Sequence, residues 1–217
     1  MPMSSKEPLS RITLFDKMNA ATLSLVTPEM SRLNKVRDEN GYSQTPTFPE
    51  PPVMPMQYAD TGGVRIRYAH SPALDKPTLV MLSPFPQSIL AYAPLWAAFA
   101  EHYNLYAFDM PGFGRSEGGV EFMTFKAQGD YLKVFLEHFG IVGAHLLGPD
   151  VGMPTILYYV GAHENTVKSI IFGDGPAVAP SSNASVIRKM VYSPFWRMIF
   201  RVAGAGALIE AGRRTCY

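Results

Sequence analysis

Cysteine is almost absent from this chain: of 217 residues one is a cysteine, Cys216, next to last. A lone thiol cannot close an internal disulfide, so the fold must hold without one, and a reducing compartment suits it. A surplus of one charge is missing as well. Nineteen Lys and Arg stand against 18 Asp and Glu, leaving no basic field to hold nucleic acid and no acidic one to collect cations. No nucleic-acid partner, no metal and no cofactor is therefore expected. Long apolar runs are lacking too. The N-terminus carries Lys6, Glu7, Arg11, Asp16 and Lys17 among short apolar groups, which is not the pattern of a secretory signal. The most apolar late segment, FWRMIFRVAGAGALIEAG at 195–212, is interrupted by Arg197 and Arg201 and reads as an amphipathic helix with no membrane span. The expected location is cytoplasmic.

What remains is 47% hydrophobic and 12% aromatic residues, enough for one sizeable core. Residues 1–55 read as an N-terminal helical arm and a Pro-rich linker. Ile12, Phe15, Met18, Ala21 and Leu25 recur at steps of three and four, a helical period. Thr27, Pro28 and Glu29 form the start signal of a second helix that Gly41 can end. SQTPTFPEPPVMPM follows, with five prolines that favour an extended connector. From residue 56 the pattern changes. MQYADTGGVRIRYAH predicts a hairpin turning at Gly62 and Gly63. TLVMLSP, NLYAFD, AHLLGPD and VKSIIFGD predict strands, separated by helices over 88–102, 124–139 and 151–162, with Gly140 stopping the second. Apolar strands alternating with helices predict an α/β fold, a mostly parallel sheet with helices on both faces.

Asp150, in LLGPDVGMP, stands where an apolar strand stops and a helical pattern begins. One reading makes it a helix N-cap, its carboxylate accepting from the first free N–H groups. The other rests on its flanks: Gly148-Pro149-Asp150-Val151-Gly152 has the G-x-nucleophile-x-G form of a strand-to-helix elbow, in which small residues relieve crowding and the central side chain is thrust clear of the sheet. An aspartate suits attack on carbon because, with a reference pKa of about 3.9, it is ionised at neutral pH without help.

Three ordered motifs make residues 57–176 resemble the α/β-hydrolase family, and within it the aspartate-nucleophile branch of epoxide hydrolases and haloalkane dehalogenases. LSPFPQS, 82–88, resembles the loop after strand three that supplies an oxyanion-hole N–H, with Ser83-Pro84 where the family usually has His-Gly. DMPGFGRS, 109–116, is similar to the family's loop after strand four, and the elbow is the third motif. The resemblance implies a core over 56–176 (strands one to six), the start of a helical cap over 177–217, Asp150 as catalytic nucleophile, and Phe85 and Val151 as oxyanion-hole donors. Of Pro84, Phe85 and Pro86, only Phe85 has an N–H to give. Asp174, in IIFGDGP, is either the catalytic acid after strand six or an Asp-Gly-Pro turn residue. Asp109 is expected to be structural, in a tight glycine loop that positions neighbours.

The family's histidine comes after the nucleophile. Only His163 of the five histidines follows Asp150, and a helix-end role is expected for it. The chain thus reads as truncated before the catalytic histidine, with a partner chain or a missing C-terminal segment to complete it. Tryptophan directly after the nucleophile, usual in the dehalogenases, is replaced by Val151, and Phe85 stands where they carry an asparagine. The expected function is a hydrolase that forms an alkyl-enzyme ester with an epoxide or a halogenated, apolar small molecule, impaired in this chain. The alternative is a catalytically silent α/β-hydrolase-like binding module.

Overall fold

The computed structural model describes residues 13–26, 35–36, 39–40, 54–85, 87–163, 167–173, 175, 192–195, 197–199 and 201–202. The chain divides into two compact units, Met1–Glu7 with Glu50–Ala179, and Pro8–Pro49 with Pro180–Tyr217. In the second unit, helix α1 (Leu14–Val26) opens on a reciprocal cap. The Thr13 N–H donates to Asp16 Oδ2 at 2.8 Å while the Asp16 N–H donates to Thr13 Oγ1 at 3.1 Å, so two N–H groups that lack helical partners are satisfied. The Thr13 hydroxyl, donating to the same carboxylate, holds Asp16 below the usual carboxylate range. Thr27, Pro28 and Gly41, the expected marks of a second helix, lie outside the described residues, as does most of the expected cap.

The first unit is built on a six-stranded sheet: β1 (Met56–Thr61), β2 (Val64–Ser71), β3 (Thr78–Leu82), β4 (Asn104–Phe108), β5 (His145–Leu147) and β6 (Ser169–Ile171), in the order β1-β2-β4-β3-β5-β6. The β1–β2 and β2–β4 pairs are antiparallel; β4, β3, β5 and β6 run parallel. The hairpin turns where expected, with Gly62 and Gly63 at φ 60° and 78°, the left-handed pair that a two-residue turn requires. Between the parallel strands come α2 (Ala93–Ala100), α3 (Phe125–His138) and α4 (Gly152–Ala162). Where one helix was expected over 88–102, a single 3₁₀ turn at Ile89–Tyr92, capped by Ser88, leads into the shorter α2.

Alternation along the strands sends side chains to two cores. Ile66, Val80, Leu82, Phe108 and Leu146 meet Leu132, Phe135 and Leu136 of α3 and Ile156 of α4 on one face. Ala69, Leu79, Met81, Leu105 and Ala107 meet Ile89, Tyr92, Ala93 and Trp96 on the other. Met54, from the end of the proline-rich connector, joins this second core at 3% exposure, so the folded unit begins before the first strand. Helix α3 stops at Gly140 as expected and begins one residue later than expected, with Thr124 as its cap. Thr124 Oγ1 accepts from the Ala127 N–H, and past Phe139 the chain enters Gly140 at φ 62°, with Gly140 N–H bonded to Glu137 O and Ile141 N–H to Leu136 O, the paired bonds of a Schellman stop. Gly129 lets α3 and α4 touch: a Cβ there would lie 2.6 Å from Tyr158 Cδ1 and 3.1 Å from the Thr155 carbonyl oxygen.

Candidate active site

The order of the strands creates a place for chemistry. From β3 the chain moves one strand outward to β4, then returns through α3 to lay β5 on the opposite side of β3. The loops leaving β3 and β5 therefore diverge to opposite faces, which makes the carboxyl ends of those two strands the topological switch point of the sheet. The two motif loops, 83–88 and 148–151, leave the sheet at that point.

Asp150 has φ 51° and is the one non-glycine residue in the left-handed region among the described residues. Such a backbone costs on the order of 1–3 kcal/mol and persists only where its surroundings enforce it. Here Gly148 N–H bonds to Ile171 O at 3.0 Å, Asp150 N–H to Gly173 O at 3.3 Å, and Met153 N–H to Asp150 O at 3.1 Å. The elbow is thus clamped to the end of β6 and to its own helix. Gly148 has no room for a side chain, since a Cβ would lie 2.7 Å from the backbone C and O of Gly152; Gly152 itself meets nothing closer than 3.4 Å. The two flanking glycines, alike in the motif, are unlike in space.

The capping alternative for Asp150 is not what the structure has. The N-cap position of α4 is Val151, whose side chain makes no capping hydrogen bond. Instead the Asp150 carboxylate turns toward β3, where Oδ2 accepts from the Phe85 N–H at 2.8 Å. Two residues 65 positions apart meet because β3 and β5 are paired, Met81 against Leu147. The Val151 N–H, the second expected donor, makes no bond to the carboxylate among the described residues. Oδ1 likewise accepts none from them.

The loop carrying Phe85 is pinned on both sides. At its start Ser83 is buried and its Oγ accepts from the Met110 N–H at 3.1 Å, while Tyr92 Oη donates to Leu82 O at 2.7 Å; burial pushes the Tyr92 phenol up, which keeps it a donor. At its far end the Ile89 N–H donates to Asp109 Oδ1 at 2.8 Å. Asp109 is fully buried, and its Oδ2 accepts from Arg67 Nε and Nη2, both at 2.6 Å, and from the Arg115 N–H at 3.0 Å. Gly114 is what admits this carboxylate: a Cβ there would lie 2.1 Å from Asp109 Oδ2. Arg67 had no mark in the sequence. It alternates in β2 on the same side as Arg65, yet Arg65 is exposed and Arg67 is 2% exposed; a period of two cannot tell which of two like residues a distant loop will cover.

None of the five histidines hydrogen-bonds Asp150 in the structure. His70 bonds Asn104 and stacks on Tyr106, and His145, at the opposite end of β5 from the elbow, bonds Ser169 Oγ. His163 ends α4 and bonds Asp130 of α3 at 2.9 Å; the helix between it and the elbow is about 16 Å long at 1.5 Å per residue. Asp174 lies outside the described residues. Its neighbours bear on the elbow all the same: Gly173 O accepts the Asp150 N–H, and a Cβ on Gly175 would lie 2.4 Å from Asp150 O. Among the described residues no helix is long and apolar enough to cross a membrane, and no cluster of His, Cys, Asp or Glu could hold a metal ion.

Residues 77–201, more than half of the chain, match the family described as alpha/beta hydrolase fold. Over 96 residues the chain is 27% identical to the dihydrolipoyllysine-residue acetyltransferase component of the acetoin cleaving system of Cupriavidus necator, a match covering 44% of this chain and 25% of that protein. Among solved structures it is similar to Cfl2 of Burkholderia cenocepacia, with a TM-score of 0.58 and 21% identity over 68% of this chain and 54% of that one. It is also similar to the epoxide hydrolase CorEH, with a TM-score of 0.55 and 20% identity over 67% and 55%. The chain thus spans a quarter of the curated relative and little more than half of these two structures, and the likeness to the structures is one of fold.

Proposed function

The chain belongs to the alpha/beta hydrolase fold family, and from that premise we propose that it carries the nucleophile half of a hydrolase in which Asp150 forms an alkyl-enzyme ester with an epoxide or a halogenated, apolar small molecule. One observation carries this reading: the Asp150 carboxylate turns from its own helix and reaches the Phe85 N–H, with one oxygen engaged there. Attack then falls to Oδ1. Its lone pair forms a C–O bond to the substrate's sp³ carbon while the carbon–halogen or carbon–oxygen bond breaks and the electron pair leaves with halide or alkoxide; the alkoxide takes a proton from water. Oδ2 becomes the carbonyl oxygen of the ester. When water later adds to the ester carbonyl, the negative charge collects on that oxygen, where the Phe85 N–H already points. The positive end of α4 lies beside it.

The first step needs no base, and the second does. No histidine bonds Asp150, so the ester is expected to accumulate on this chain alone. Asp174, flanked by two glycines that lie against the Asp150 backbone, is the acid proposed to orient the histidine that the second step requires. The test is intact mass after incubation with epoxide and haloalkane panels: an adduct should form, map to Asp150 and vanish in Asp150→Ala. An adduct that survives that substitution refutes the assignment. The same lack of a nearby histidine favours a second reading, a silent binding module, which predicts saturable ligand binding with no covalent adduct.

A further inference from the structure

The carboxylate of Asp109 is remote from the proposed chemistry, yet its bonds do more than close its own glycine loop. Three donors, Arg67 Nε, Arg67 Nη2 and the Arg115 N–H, converge on Oδ2, whereas Oδ1 is given to one, the Ile89 N–H. Ile89 opens the 3₁₀ turn directly after the loop that holds Phe85. The other end of that loop is held by Ser83 and by the Tyr92 bond to Leu82 O. A flexible loop fixed at one end would let the Phe85 N–H wander; fixed at both, it keeps the donor where a developing charge will need it without reorganisation.

We infer that Asp109 is a positioning residue for the oxyanion donor, acting through Ile89 on Phe85, with Arg67 as the counter-charge that holds its carboxylate in the core. The inference rests on the reading of Phe85 as the oxyanion donor. The two carboxylate oxygens then have different roles, with Oδ2 anchoring Asp109 to β2 and to its own loop and Oδ1 reaching across to the neighbouring loop. That separation makes Asp109→Asn informative. Every partner of the carboxylate is a donor, so the new NH₂ has nothing to donate to. With three donors on one side and one on the other, the amide oxygen stays with Arg67 and Arg115, and the NH₂ turns on Ile89. The Ile89 tie is lost, while the donors of Arg67 and Arg115 keep an acceptor and the Arg67 ion pair becomes a bond to a neutral oxygen.

The experiment follows the Phe85 and Ile89 amides by ¹⁵N NMR and hydrogen exchange in the full chain. In Asp109→Asn the Phe85 resonance should move upfield and its exchange should quicken by at least about tenfold, while Val80 and Ala107 keep their protection. Thr124→Ala, which removes the α3 cap and touches none of these bonds, should leave the Phe85 resonance in place. Should Asp109→Asn not fold, wild type decides: Phe85 and Ile89 should exchange through one shared opening, with protection equal to within about threefold. A Phe85 amide unchanged in Asp109→Asn, moved as much by Thr124→Ala, or exchanging more than about tenfold faster than Ile89 in wild type would overturn the inference. Chemistry adds a second readout. Hydroxylamine cleaves the Asp150 ester by adding to its carbonyl carbon, which releases the alcohol, leaves a hydroxamate and needs no histidine. Cleavage should slow by at least about tenfold in Asp109→Asn, with ester formation changed much less, and an unchanged cleavage rate also overturns the inference. If wild type forms no ester, the proposed function fails while the amide measurements still decide the role of Asp109.

Discussion

Alanine at Gly148 and alanine at Gly152 should have opposite consequences, although the G-x-D-x-G motif treats the two alike. At Gly148 a Cβ would lie 2.6 Å from Ile156 Cδ1 and 2.7 Å from the C and O atoms of Gly152. Two of those three atoms are backbone, so no rotamer change relieves the clash. Ordinary contact begins at 3.4 Å, and the elbow must part from the first turn of α4 by the difference, about 0.7 Å, against an interior packed to native density. Overpacking of this kind costs about 1–3 kcal/mol, which lowers Tm by about 2–12 °C in a chain of this size. At Gly152 the nearest atom is Leu82 Cβ at 3.4 Å, and the backbone is not left-handed. There a methyl group fits, and the lower entropy of the unfolded chain favours alanine by about 0.4–1 kcal/mol. Thermal unfolding of both variants by circular dichroism measures the contrast. The chemistry should follow: a carboxylate displaced by most of an ångström should form its ester about ten- to a hundredfold more slowly in Gly148→Ala, and at the wild-type rate in Gly152→Ala. Equal losses of Tm in the two variants, or a neutral Gly148→Ala, would refute the crowding.

Two further outcomes follow from the packing and the charges. Phe135 is fully buried and stacks on Phe108 at 4.0 Å, so Phe135→Ala should cost about 3–5 kcal/mol in urea unfolding; Val142→Ala, at a site 76% exposed, should stay within about 0.5 kcal/mol, and similar losses would dismiss the assigned core. Asp130 is held below the usual carboxylate range chiefly by the hydrogen bond from Lys126, with His163 adding to it. A depressed folded pKa means stability that is present above the unfolded value near pH 4 and lost as pH falls through the folded one. Because the pair is largely exposed, the advantage of wild type over Asp130→Asn should be under about 1 kcal/mol at neutral pH, and should vanish in acid and shrink in salt; a difference independent of pH rules the pair out as its source.

Much of the fold is legible in local sequence. Every described strand and α-helix of the sheet unit overlaps its predicted segment, whereas the 3₁₀ turn at Val120–Phe122 falls outside them all, and Gly62-Gly63 and Gly140 act as turn and stop where their chemistry says they should. These signals are short-range: periodicity, a capping hydroxyl and a left-handed glycine each act within a few residues. The helix expected over 88–102 is shorter because its first turn is 3₁₀, a distinction that composition does not carry. Of the site, the sequence marks Asp150, Phe85 and the glycine loop at 109–116 by motif. Apart from the Phe85 N–H, which the family resemblance implies as a donor at the Asp150 site, it does not mark what they bond to.

By itself, the sequence determined an α/β sheet unit and an aspartate at a strand-to-helix elbow, because both are written in the spacing of neighbouring residues. Tertiary structure alone decided between the two readings of Asp150, turning its carboxylate from its own helix to the Phe85 loop, and decided that Arg67 is buried while Arg65 is not and that Asp109 ties a loop it does not belong to. Each of those is a choice of partner for a polar group. A hydrogen bond is made with whatever donor or acceptor the packed strands bring within reach, and strand order, which joins residues dozens of positions apart, sets that reach.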